Sequence, residues 1–105
     1  MAKLNVYEKT YRKMFMTDVV EMGGMIRSYP AMSITVAVVP AIGNTMRARY
    51  ARVSVAQCSE QDKFKRKRGE LIAAERMVND QFFSVPVDGR ALWEVADSVA
   101  EFLGN

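Results

Sequence analysis

The stretch "MSITVAVV", residues 32–39, predicts a β-strand. Ile34, Val36 and Val38 fall on one face of an extended chain, and Ser33, Thr35 and Ala37 fall on the other. β-Branched side chains at this period are typical of a strand. Pro40 has no N–H for a sheet ladder, so it ends the strand or lies at an edge.

A tight turn and a second strand follow this stretch. Gly43 and Asn44 both tolerate the positive φ that tight turns require. An apolar and β-branched segment, about Thr45–Cys58, then returns towards the first strand. We therefore predict a long antiparallel hairpin.

The alternation of this second strand raises a conflict between charge and burial. In strict alternation its first arginines, Arg47 and Arg49, would share a face with its valines. A β-bulge near Ala51 would remove the conflict, and we predict one. The expected result is one side with Arg47, Arg49 and Arg52 and the other with Tyr50, Val53 and Val55.

A helix is predicted after the hairpin, because "SEQD", residues 59–62, has the form of a capping box. This helix should begin near Glu60 and end at about Asn79. Its predicted buried stripe consists of Phe64, Leu71, Ala74 and Val78. The opposite side should carry Lys65, Arg66 and Arg76, with Gly69 and Ala73 between them.

A further helix is predicted near the N-terminus. Its apolar face contains Tyr7, Tyr11, Met14 and Phe15 at helical spacing. The pair Gly23-Gly24 should stop it. We interpret the next segment, "MIRSYPAM" at residues 25–32, as a connection, since Pro30 disfavours helix at the residue before it.

The C-terminal part should contain a short strand and a last helix. "FFSVPV", residues 82–87, predicts a strand that Pro86 places at an edge or end of the sheet. Asp88 is expected to cap the helix that follows. The core face of that helix should be formed by Leu92, Val95, Ala96, Val99 and Leu103.

These elements predict a single small α+β domain over residues 1–105, with a long antiparallel hairpin, a short further strand and two to three helices. A chain of 105 residues is a typical size for one domain, and half of its residues are hydrophobic. The longest apolar run is too short to span a membrane, and the N-terminus lacks the apolar stretch of a signal peptide. A single cysteine, Cys58, allows no internal disulfide, so we expect a reducing cytoplasm.

Charge is distributed unevenly along the chain. Residues 1–42 carry five cations and three anions (+2), residues 43–68 carry eight and two (+6), and residues 69–105 carry two and seven (−5). This division favours a cationic surface for an anionic partner and an acidic segment with a separate role. The alternative is that the two regions are solvated faces that meet within the fold.

The sequence offers little for catalysis. It contains no histidine, which is the commonest general base and metal ligand. Cys58 has no histidine to activate it, and Glu60 and Asp62 are better explained by helix capping than by a magnesium site. No phosphate-binding loop is present. We therefore expect a protein that is not an enzyme and that needs no cofactor or metal.

Nucleic acid is the anionic partner that best uses clustered cations, because each neutralised phosphate releases counterions. Gly69 and Ala73 would keep the helix surface low enough for a phosphate backbone to approach. A single strand also needs aromatic side chains on which bases stack, and Tyr50 lies among the strand arginines. The further aromatic candidates are Tyr7, Tyr11, Tyr29 and Phe64. The predicted nucleic-acid-binding residues are Arg47, Arg49, Tyr50, Arg52, Lys63, Lys65, Arg66, Lys67, Arg68 and Arg76.

A hairpin strand that continues into "CSEQDKFKRKRG" and then "ELIAAERM" resembles small bacteriophage-encoded proteins that bind single-stranded DNA and assist a phage RNA polymerase. The likeness covers about residues 45–78. It implies a non-enzymatic, cooperative and self-associating binder of exposed DNA strands, or of RNA, that also contacts a polymerase. In that case it would work in transcription or replication in the cytoplasm of a host cell.

The last helix carries a second prediction. Glu94, Asp97 and Glu101 are spaced three and four apart and form an acidic ridge opposite the apolar face. This ridge could contact a basic partner protein, fold back on the cationic block of the same or a neighbouring molecule, or be plainly solvated. The alternative function is therefore a protein–protein inhibitor or adaptor of a host or defence complex, with eight methionines in an adaptable surface.

Overall fold

The computed structural model describes residues 4–41, 50–59 and 63–104. The elements within these ranges are α1 (Val6–Glu21), β1 (Met25–Tyr29), a 3₁₀ turn (Pro30–Met32), β2 (Ile34–Pro40), β3 (Tyr50–Gln57), α2 (Arg66–Val78), β4 (Phe83–Pro86) and α3 (Leu92–Gly104). The strands form one antiparallel sheet in the order β1-β2-β3-β4. The predicted α+β class is confirmed. No helix in the described ranges is both long and apolar enough to cross a bilayer.

The central strand β2 is buried on both faces, because helices cover both sides of the sheet. Ile34, Val36 and Val38 pack beneath α3 in one apolar cluster. Ala37 and Val39 pack beneath α1 and α2 in the other cluster. The alternation predicted for this strand therefore separates two cores.

β3 pairs with β2 in a continuous register, which confirms the antiparallel pairing of the predicted hairpin. Its pairing with β4 is also continuous, so the bulge that we expected near Ala51 is absent from the described strand. Plain alternation places Val53 in the cluster beneath α3, whereas Arg52 lies on the α2 side. No bulge is needed, because within the described strand only Arg52 is charged. Arg47, Arg49 and the predicted turn at Gly43-Asn44 lie outside the described residues.

α2 begins at Arg66, later than we predicted, and Lys65 is its N-cap. Of the predicted capping box, residues 60–62 lie outside the described residues. The helix buries Leu71 and Ala74, as expected, but it also buries Gly69 and Ala73. The expectation that these two small residues lower an exposed helix surface for a phosphate backbone is wrong, because both are buried where the helix lies against the sheet.

α1 is capped by Asn5, whose side chain accepts a hydrogen bond from the Glu8 N–H at 2.8 Å. Gly23, with φ of +84°, ends the turn that follows the helix. Met25–Tyr29 form β1 rather than the connection we expected, because pairing with β2 satisfies main-chain groups of this segment. Only the turn that begins at Pro30 connects the two strands.

β4 is an edge strand, as the proline predicted. Asp88, however, does not cap α3: it has a φ of +53° and lies in the preceding turn. Glu94 takes the capping role, since its carboxylate accepts a hydrogen bond from the Ala91 N–H at 3.0 Å. The predicted apolar face of α3 is confirmed. Val95, Ala96 and Val99 are buried, and Leu92 and Leu103 pack at the margin of the same cluster.

Candidate nucleic-acid interface

The sheet separates the charges of its helices. α1 and α2 cover one face, and α3 covers the other. Residues 63–78 contain six cations and two carboxylates, whereas α3 contains three carboxylates and no cation. One side of the molecule is therefore cationic around α2, and the opposite side is acidic.

An open groove lies between the end of β3 and the side of α2, with a volume of about 540 Å³. The apolar residues that line it are Ala56, Phe64, Gly69 and Ile72. The cations that line it are Lys63, Lys65, Arg68 and Arg76. None of the described lining residues is a carboxylate, so this groove suits an anionic ligand with an apolar part.

The start of α2 concentrates positive charge where the helix dipole is also positive. Arg66, Lys67 and Arg68 occupy the first turn, and that turn contains no acidic residue. Lys65 at the N-cap offers no side-chain oxygen to the free N–H groups. Two carboxylates offset part of this repulsion: Glu8 lies 3.0 Å from Arg68, and Glu70 lies 4.0 Å from Arg66.

The four groove cations differ in how firmly they are held. Arg68 pairs with Glu8 on α1, and Arg76 donates a hydrogen bond to the main-chain oxygen of Val55. Lys63 and Lys65 make no ion pair within 4 Å with any described residue. The two arginines therefore shape the groove, and the two lysines can turn towards a ligand.

The other predicted cations of α2 point elsewhere. Lys67 lies beside Lys9, Arg12 and Lys13 of α1, around a second and shallower depression. The side chain of Arg66 is 66% exposed. The sequence placed all these cations in one block, but packing against α1 divides them between two surfaces.

Tyr50 and Arg52 lie at the far end of β3 from the groove. Arg52 donates a hydrogen bond to the Pro40 carbonyl at 3.2 Å and stacks on Phe82, 5.3 Å from the ring centre. Tyr50 is about half exposed, at 48%. Phe64, which we had assigned chiefly to the buried stripe, is the aromatic residue that the structure places in the groove. Sequence periodicity could not have shown that Gln57 and Ile72 join it there, since they belong to different elements.

The three residues of the predicted acidic ridge have different environments. Asp97 accepts a hydrogen bond from the Tyr29 hydroxyl and lies 3.4 Å from the Arg27 guanidinium. Burial, and next the hydrogen bond to Asp97, raise the pKa of Tyr29. Glu94 caps α3, and Glu101 is exposed. A fold-back of the ridge onto the groove within one molecule is not possible in this arrangement, because the sheet lies between them.

Comparison of the chain with protein-family models, with curated proteins and with solved structures gave no match.

Proposed function

We propose that this protein is a non-enzymatic binder of single-stranded nucleic acid, and that the strand lies along the groove beside α2. The observation that carries the proposal is the groove itself: its described lining combines four cations with apolar residues and contains no carboxylate. Phosphates would contact the cations, which supplies affinity independent of sequence. The acidic helix on the opposite face keeps the strand on one side of the molecule.

A single strand fits this site better than a duplex does. The cations lie around a concave groove that also contains an aromatic ring, and only an unpaired base can offer its face to that ring. In the described chain α2 is packed against both α1 and the sheet, so it does not project as a recognition helix would. The resemblance to phage proteins favours DNA as the ligand. The same resemblance favours the cytoplasm of a host cell as the location of the protein.

The test compares two triple variants that remove the same charge from different surfaces. One replaces Lys63, Lys65 and Arg76, which line the groove, with Ala. The other replaces Lys9, Lys13 and Lys67 with Ala beside the shallower depression. Affinity for a labelled oligonucleotide, measured by fluorescence anisotropy at two salt concentrations, should fall at least tenfold for the groove variant and much less for the other.

The salt dependence should also flatten for the groove variant, because fewer counterions are released. Equal losses in the two variants would mean that overall charge, rather than the groove, attracts the strand. Unchanged affinity in both well-folded variants would remove α2 from the interface and leave the adaptor hypothesis.

A contact with a protein partner is a second candidate function, and α3 is the element that supports it. Trp93 and Phe102 are 50% and 80% exposed on this helix, on either side of its acidic residues. Exposed aromatic side chains beside charge are typical of protein interfaces. The polymerase contact, the self-association and the alternative inhibitor role would each use this face, and Trp93→Ala with Phe102→Ala should weaken them without loss of nucleic-acid affinity.

A further inference from the structure

The direction of the main-chain groups of β3 follows from three hydrogen bonds. The Tyr50 carbonyl accepts from the Ala41 N–H at 3.0 Å, and the Cys58 N–H donates to the Ser33 carbonyl at 2.9 Å. Both of these bonds point to the β2 side. The Val55 carbonyl instead accepts from Arg76, on the other side. Even-numbered residues of this strand therefore direct their N–H and C=O groups towards β2, and odd-numbered residues direct theirs away from it.

β4 covers only part of the outer edge of β3. It pairs with residues 50–53, so Val55 and Gln57 have no strand of the described chain beside them. Arg76 already occupies the Val55 carbonyl. The N–H and C=O of Gln57 consequently point away from β2, to the side on which Arg76 lies, and Gln57 and Arg76 both line the groove. A donor and an acceptor lie there side by side at the end of β3.

The same groove holds the two other features that a nucleotide requires. Phe64 supplies an aromatic surface among the apolar lining residues, and Lys63 and Lys65 supply positive charge. Its volume of about 540 Å³ lies within the range of small-ligand sites. One site can therefore stack a base, form hydrogen bonds with the edge of that base and neutralise the neighbouring phosphates.

We propose that this groove holds one nucleobase of the bound strand, stacked on Phe64 and hydrogen-bonded through its edge to the Gln57 main chain, with the flanking phosphates on Lys63 and Lys65. This inference rests on the proposed function and adds a base subsite to it. An extended acidic peptide is the competing occupant of an open sheet edge. The edge is too short for it, because within β3 beyond its pairing with β4 only Gln57 retains both main-chain groups, whereas strand addition uses a run of such pairs.

The experiment measures the affinities of the full chain for a twelve-nucleotide oligothymidylate and for an abasic strand of the same length. The wild-type protein should prefer the strand with bases by about tenfold, since stacking acts only through base faces. Phe64→Ala should abolish this preference and leave the salt dependence unchanged. Phe64→Tyr should retain the preference, and Phe102→Ala, which removes an exposed ring across the sheet, should have no effect.

A second variant tests the main-chain contact. Gln57→Pro removes the N–H that faces the groove but no hydrogen bond to β2, and an edge position tolerates proline. It should weaken binding of the strand with bases several-fold and leave binding of the abasic strand unchanged. Thermal unfolding of each variant shows whether it is folded.

Equal wild-type affinities for the two strands would overturn the base subsite and leave the proposed function intact. Failure of both strands to bind would overturn the proposed function as well. Displacement of the strand by a glutamate-rich extended peptide, with Phe64→Ala unchanged in its base preference, would assign the groove to a peptide and also overturn the inference.

Discussion

At the scale of single residues, Tyr29 links the first strand to the last helix. Its hydroxyl donates to Asp97, and the nearby Arg27 pairs with the same carboxylate. Burial and the carboxylate both disfavour the phenolate, so the pKa of Tyr29 is raised in the folded protein. No sequence pattern predicts this contact, because residues 29 and 97 meet only through the packing of α3 on β1.

The raised pKa predicts how stability changes at high pH. Folding favours the neutral phenol, so the full contribution of Tyr29 is present below the unfolded-state pKa of about 10 and is lost as pH rises above it. We expect the free energy of unfolding, measured with urea, to fall more steeply between about pH 9 and pH 11 in the wild type than in Tyr29→Phe. Other titrating groups are common to both proteins and cancel in the difference. Parallel curves would contradict the prediction.

At the scale of elements, Gly69 decides how closely α2 lies on β2. A Cβ built at this position would lie 2.4 Å from Thr35 Oγ1 and 3.2 Å from Thr35 Cβ. Thr35 is fully buried in the strand and cannot move aside. The glycine is therefore required by the close approach of helix and sheet. The sequence shows that residue 69 is small, but a small residue suits either a low, exposed helix surface or a close contact between helix and sheet.

Gly69→Ala should destabilise the protein, although alanine gains up to about 1 kcal/mol in helix propensity. The overpacked contact with Thr35 costs about 1–3 kcal/mol and outweighs that gain. Urea unfolding should show the loss, and the added change Thr35→Ala should recover part of it by removing the hydroxyl. A more stable Gly69→Ala protein would show that α2 does not lie this close to the sheet.

At the scale of the whole molecule, the sheet keeps cationic and acidic surfaces apart. α2 and α3 lie on opposite faces, so a layer of strands separates their exposed sides. The Debye length at physiological ionic strength is about 8 Å, which is shorter than the roughly 10 Å from a sheet to a layer packed on it. A charge on α3 should therefore have little influence on a ligand at the groove.

Two matched charge reversals test this separation. Glu75 is exposed on α2 and Glu101 is exposed on α3. Glu75→Lys should raise the affinity for a single strand several-fold at physiological salt, whereas Glu101→Lys should change it less than about twofold. Anisotropy titrations of both variants give the comparison. Equal gains would show that the strand also reaches the α3 face.

The sequence by itself determined most of the secondary structure of this protein. β-Branched alternation predicted β2 and much of β3, and proline placed β4 at an edge. Helical periodicity predicted the apolar face of α3 and the existence of α1, but Tyr7, Tyr11 and Met14 of the face predicted for α1 are exposed. These features depend on neighbours along the chain, so they can be predicted from the sequence. The cationic start of α2 and the acidic residues of α3 were visible for the same reason.

Only the tertiary structure decided which surfaces these elements share. Pairing with β2 made a strand of the segment that we predicted as a connection. Packing of α2 on the sheet buried Gly69 and Ala73. Packing of α1 against α2 separated Lys67 from the groove cations. Packing of α2 on the sheet formed the groove near the end of β3 that Phe64 lines. The physical reason is that a local pattern fixes the faces of an element, whereas long-range burial selects the partner that each face meets.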